Sequence, residues 1–443
     1  MSVSTRERIS HVVRRLSMGA HPDLVAALES PDAAIARALD LSAAAPVLPS
    51  MVPPSSYDEQ QPIDIVPTIA WWLGQMQTSP RLIEERLVWF WHDHFATSLA
   101  KVRVPYLLHQ QHATVRALAT GSFADLLHAM AKDPAMLGYL DGVTNQVENV
   151  NENFGRECLE LFTMGIGGGY TQDDVVAASR ACSGWVVNVP GRRFSARLTE
   201  LGAGPWGSIF IPFRHDDGEK ELLGQRGAFD LDGALDVILE HPSTARYVAG
   251  KLYRELVGLE ADDQTAKRLG DDFARDWSIM GLVESTVAEP AFTSNAAVRS
   301  KVRTPVEKLV GIAHAGALPG EGSTAAVDLR VVAGRSRAGD QVVGVGEALR
   351  TIGFIPFVPP NVSGFPEGTL LLGPHQLVHT FDLLQVLPTA PAVGPGGVED
   401  VDALMARFGV FDITKSTRRV LERERDPGRQ FTLAAMSPEF AVT

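Results

Sequence analysis

Cysteine, clustered positive charge and long apolar runs are all scarce in this chain. Of 443 residues only two are cysteine, Cys158 and Cys182. Both sit beside apolar residues in stretches of helical pattern, so buried free thiols are expected rather than a disulfide framework. The 53 Asp and Glu residues outnumber the 40 Lys and Arg, for a formal charge of -13. No basic block breaks that balance. Phosphate neutralisation needs clustered Lys and Arg, so non-specific nucleic-acid binding is excluded. No window approaches the roughly 18 consecutive apolar residues of a membrane-spanning helix. The opening "MSVSTRERISHVVRRLSMGAHPDL" has no apolar h-region. No export signal is read there, and a cytoplasmic location is expected.

What remains is ordinary globular composition, 45% hydrophobic and 21% charged. The expected fold class is mainly α: one large multi-helix domain over 1–443 with a small β-containing insertion at 185–225. Loops are expected at 41–62, 318–326 and 388–400, where Pro, Ser and Gly gather. "STRERISHVVRRLSMG" places Ile9, Val12, Val13 and Leu16 on one helical face. "SPRLIEERLVWFWHDHF" starts with Ser79 as N-cap and Pro80 at the first helical position. Thr304, Pro305 and Glu307 form a strong helix start, and Thr171 with Asp174 another. After Trp185, "WVVNV" and "SIFIPF" are short β-prone runs.

The chemistry-bearing residues concentrate in "NENFGRECLELFTMGIGGGYTQDDVV" (151–176). On a helix, Asn153, Glu157 and Glu160 share one stripe, and Arg156 stands four residues from Glu160. A carboxylate stripe can hold a divalent metal with a histidine from a facing helix, or supply a general acid or base. It can equally clamp a neighbouring loop. The glycines follow a helix and lack a Gly-Lys-Ser/Thr ending. They read as a helix stop at Gly165 and a turn into Thr171, not as a phosphate cradle. In "WFWHDHF", His92 and His94 point about 200° apart on a helix and cannot share one metal; His94 is the preferred ligand or base. "HDDGEKELLG" displays His215, Asp216 and Lys220 on a turn. His375 and His379 have the i, i+4 spacing of a zinc pair, but Gln376 replaces the general-base Glu. "PPNVSGFP" (359–366) reads as a structured loop.

Several segments together carry a resemblance. "DPAMLGYLDG" (133–142), "NENFGRECLELFTMGIGGGYTQDDVVAASRACSGW" (151–185), "HDDGEKELLG" (215–224), "HPSTARYVAGKLYRELV" (241–257), "RTPVEKLVG" (303–311) and "PFVPPNVSGFP" (356–366) occur in order. This set resembles the bacterial family called domain of unknown function 1800, over nearly the whole chain. The resemblance implies a helical fold unit and no established reaction. It implies a neighbour related to the sulfatases and phosphatases as a partner, and export for many members, where this chain departs. Its pattern also expects Gln after Gly353, where this chain has Phe354.

Two functional readings follow. In the first, an enzyme pocket gathers His94, Glu157 and Glu160 as catalytic groups, with Glu157 and His94 as ligands of a divalent metal. Arg156, Asn153, His215 and Lys220 would then bind the substrate. In the second, the chain is a non-catalytic binding or assembly protein whose polar stripe rigidifies the core.

Overall fold

The computed structural model describes residues 3–19, 21–58, 64–316, 349, 353–386 and 400–443. The expected loop at 318–326, and all of 388–400 but its last residue, lie outside the described residues. So do the side chains of His375 and His379, which fall on the helix Pro374–Val386.

Among the described residues helices dominate, and two two-stranded antiparallel sheets interrupt them. Strand β1 (Trp185–Val187) pairs with β2 (Ser208–Phe210), with Val186 opposite Ile209. Strand β3 (Lys220–Leu222) pairs with β4 (Gln225–Gly227). The β insertion therefore stands where expected and runs two residues further.

The first helix, α1 (Thr5–Arg15), puts Ile9, Val12 and Val13 in the core, with Leu16 just beyond its end. Its charged residues are buried too. Arg14 and Arg299 each hold the Glu7 carboxylate at 2.9 Å, which satisfies an acid that burial alone would penalise.

Helix α2 (Leu82–His94) is buried on nearly every face, the mark of a central helix. It starts later than its sequence signals. Ser79 closes the preceding helix, Val66–Thr78, instead of opening this one. The cause is Arg81, whose guanidinium bonds Glu84 at 2.9 and 3.0 Å and the carbonyl of Ala43 at 3.0 Å. These bonds hold Arg81 at φ -91° and ψ 73°, outside the helical region.

The 151–176 stretch differs in a second way. A five-residue helix, α3 (Asn153–Glu157), continues into a π-turn at Cys158–Thr163. There the Met164 N–H donates to the Leu159 carbonyl, five residues back, at 3.0 Å. A π-turn carries one residue more than an α-turn, so the simple i, i+4, i+7 stripe does not continue unbroken through Glu160. Helix α4 (Gln172–Ala181) crosses α3 at Gly155. A Cβ there would stand 2.3 Å from Ser179 Oγ and 2.8 Å from the Ser179 amide nitrogen. Only a glycine admits that approach. Thr171 and Asp174 cap α4 reciprocally, as expected.

Helix α5 (Pro242–Val257) stops at Gly258, whose φ of +81° suits glycine. In α6 (Pro305–Gly316) the Thr304 N–H donates to Glu307 at 2.7 Å and the Glu307 N–H to Thr304 Oγ1 at 3.2 Å, completing the expected box. The loop at 356–366 lies across the end of α2. Its Phe357 N–H donates to His92 Nε2 at 3.1 Å.

Candidate functional site

A cleft of about 240 Å³ opens where α2, α5 and the 354–371 stretch meet. One wall is aromatic. Trp89 stacks with Phe354 at 6.0 Å and with Phe365 at 5.6 Å, and the two phenylalanines lie 4.5 Å apart. Phe354 is thus part of that wall.

The other wall is charged. Asp93, at the end of α2, accepts the Phe365 N–H at 2.7 Å. Burial pushes its carboxyl up to about 7; the Phe365 N–H opposes the shift, while Glu367 adds to it. Lys251 of α5 lines the same cleft. Among the described residues it has no hydrogen-bond or ion-pair partner, and its Nζ stands 5.7 Å from the centroid of the Tyr247 ring. Burial lowers its pKa, opposed by the negative fields of Asp93 and Glu367. Four residues on, Glu255 is fully engaged, accepting from Arg86 at 3.0 Å and from Lys301. Arg86 also holds Glu307 at 2.7 Å, and the Glu307 carboxyl stays well below the usual carboxylate range. A paired charge network therefore underlies the cleft, and Lys251 stands out from it.

His94 belongs to this cleft. Its ring stacks on Phe90 at 6.0 Å, and Nε2 contacts the Phe162 carbonyl at 3.0 Å. A carbonyl only accepts, so Nε2 carries the proton and Nδ1 presents a lone pair. That Nδ1 is buried without a partner. Burial drives the imidazole pKa well below its ordinary value, so the ring stays neutral near pH 7.

The remaining sequence candidates stand elsewhere. Glu157 is half-buried, its carboxyl pushed up by burial and by Glu160. It does not line the cleft that holds His94, whose Nε2 bonds the Phe162 carbonyl in the π-turn. Arg156 bridges Glu152 at 2.9 Å, Glu160 at 3.3 Å and Gln172 at 2.9 Å. Asn153 ties its side chain to the Leu140 carbonyl at 3.1 Å. His215 Nδ1 sits 3.2 Å from Ser183 Oγ, and Lys220 donates to the Gly218 carbonyl at 2.9 Å, both in the β insertion. Among the described residues no three His, Cys, Asp or Glu side chains stand together as a metal site, so the expected Glu157–His94 metal has no third ligand there. Cys158 and Cys182 are buried free thiols, and burial lifts the first to about 12.

A larger cavity of about 460 Å³ lies under the proline-rich 48–58 segment, beside Tyr57, Tyr106 and Trp206. Its imidazole, His109, is already bonded to Thr68 Oγ1 at 2.9 Å. The smaller cleft is the stronger candidate because it combines an amine unpaired among the described residues with an acid poised near neutrality.

Sequence reasoning passed over Asp93, Lys251 and Phe365. Asp93 lies between His92 and His94 in the sequence, and Phe365 lies in the 359–366 loop. No local signal ties residues so far apart in the chain.

Among the described residues no helix is long and apolar enough to cross a membrane. Comparison with curated proteins and with solved structures finds no match. A family profile does match, over residues 11–442, under the description "Protein of unknown function (DUF1800)", and at that coverage the chain belongs to this family.

Proposed function

We propose that the protein is an enzyme whose reaction cleft is the one between α2 and α5, with Asp93 as acid–base group and Lys251 as the cation that receives a small anionic substrate. The observation that carries this is that one cleft holds a lysine with no hydrogen-bond or ion-pair partner among the described residues beside a carboxyl that burial pushes up to about 7. A group titrating near the working pH both gives and takes protons readily. The aromatic wall of Trp89, Phe354 and Phe365 suits a planar or apolar portion of the same molecule. His94, neutral and bonded to Phe162, shapes the cleft wall rather than moving a proton.

Calorimetric titration with aromatic carboxylates and phosphate monoesters tests the reading. Binding is expected, and Lys251→Met should weaken it by about tenfold or more, the loss of one charge-assisted hydrogen bond. If no anion binds, or if the variant binds as well as the parent, the cleft is not the site. Metal analysis of the same sample addresses the Glu157–His94 alternative: stoichiometric metal that disappears in Glu157→Ala and His94→Ala, with the fold retained, would favour it.

A second reading holds for the Asn153–Arg156–Glu160 group alone. The bonds of Asn153 and Arg156 to the 140 region and to α4 support a structural clamp there, outside the reaction.

A further inference from the structure

We infer that Lys251 is a nucleophile that forms an imine with the carbonyl carbon of an aldehyde or ketone bound in the α2–α5 cleft. The inference rests on the cleft reading above and extends it from binding to covalent chemistry.

Three observations support it. Lys251 is half-buried on the cleft wall, yet among the described residues no carboxylate, carbonyl or hydroxyl engages its Nζ. A structural lysine in such a place is normally paired, as Lys301 is with Glu255 only one cleft wall away. Its neighbours along α5 and across the cleft include the cations Arg254 and Lys301. Burial and Arg254 both disfavour the ammonium form, which Asp93 and Glu367 partly restore. Desolvation of this kind favours the free, nucleophilic amine over its ammonium form. Asp93 shares the cleft and titrates at about 7, so it can accept and return one proton within a turnover.

The step balances without a redox partner. The Nζ lone pair attacks the carbonyl carbon, forming the C–N bond as the C=O π pair moves to oxygen. One proton of the new C–NH2+ group passes to that oxygen to give the carbinolamine, and Asp93, which took a proton from the Lys251 ammonium before the attack, returns it to the carbinolamine hydroxyl. Water leaves, and the nitrogen pair closes the protonated C=N bond. One carbonyl compound and one ammonium give one iminium and one water.

The test uses the full chain with 4-carboxybenzaldehyde, which combines a carbonyl, a planar ring and an anionic group, in the presence of sodium cyanoborohydride. Intact mass and peptide mapping then locate the reduced adduct among the eight lysines of the chain. The expected result is a single adduct on Lys251, formed about tenfold or more faster than on Lys101 or Lys267, which are ion-paired to Asp141 and Asp271. Lys251→Arg should abolish it with the melting temperature retained, and Asp93→Asn should slow it. An adduct spread over surface lysines, or one unchanged in Lys251→Arg, overturns the inference. Terephthalate, which has the ring and carboxylates but no reactive carbonyl, separates the two claims. If it binds and Lys251 gives no adduct, the nucleophile falls and the cleft stands; if it does not bind and no adduct forms on Lys251, both fall.

Discussion

The main-chain N–H of Phe365 donates to Oδ1 of Asp93 at 2.7 Å, joining the 356–366 loop to the end of α2. The same contact explains Gly364. A Cβ at that position would stand 2.4 Å from Asp93 Oδ1, and φ is +96°. The bond is made to a carboxyl that holds its proton unusually long, to about 7 against an ordinary 3.8. Between those values the folded chain retains a proton that the unfolded chain has released. The stability this contributes is complete below the unfolded value and is lost as pH rises to about 7. Asp93→Asn keeps an acceptor for Phe365 and cannot ionise. Its urea midpoint, compared with the parent's, should therefore move in the variant's favour between about pH 4 and pH 8. A gap that does not change with pH would show that Asp93 titrates normally.

His94→Phe keeps the aromatic packing around Phe90 and Phe162 but removes the donor to the Phe162 carbonyl. A buried carbonyl left unpaired costs about 1–3 kcal/mol. Chemical denaturation should register that loss, while anion binding at Lys251 stays within a fewfold of the parent. If binding collapses with stability intact, His94 touches the ligand directly.

At the α3–α4 crossing, Gly155→Ala should destabilise by about 1–3 kcal/mol or more, because the new methyl meets Ser179 side chain and backbone together. Adding Ser179→Gly relieves the contact with Oγ and leaves the clash with the main-chain nitrogen at 2.8 Å. The double variant should thus recover only part of the loss. Full recovery would mean that the backbones are free to separate.

Beneath the cleft, Arg86→Met should be among the most damaging single changes. It strips a buried guanidinium from Glu307, leaving that carboxylate buried without its ion-pair partner, while Glu255 keeps Lys301. Breaking such a buried pair from one side costs about 3–5 kcal/mol. Thr304→Ala, which removes only the hydroxyl half of the cap on α6, should cost about 1 kcal/mol. Similar losses in the two variants, followed by thermal unfolding, would contradict this ordering.

Local chemistry was legible from the residues alone. Thr171 with Asp174, and Thr304 with Pro305 and Glu307, act within one turn of chain, so their spacing carries the whole signal. The glycine corner at 165–169 follows from the same short-range rules, with Gly165, Gly167 and Gly169 all at positive φ. Ser79 misled because Arg81 answers to carbonyls forty residues upstream, which overrides a local start signal. The π-turn had no signature, since an extra residue in a helix changes spacing without changing composition. The cleft was least accessible of all. Asp93, Lys251 and Phe365 come from three separate parts of the chain, and what singles out Lys251 is the lack of a partner among the described residues, which no pattern of neighbours along a sequence records.

The π-turn at Cys158–Thr163 also makes this segment unequal in its tolerance of change in chain length. An α-helix with one residue in excess can lose a residue and close into ordinary α geometry with its backbone bonds remade. The flanking side chains would keep their phase, because the wide turn is what absorbs the extra residue. The same deletion in an ordinary α-helix has no such outlet and turns everything beyond it by about 100°. A single-residue deletion would thus be milder in this turn than in the helices around it.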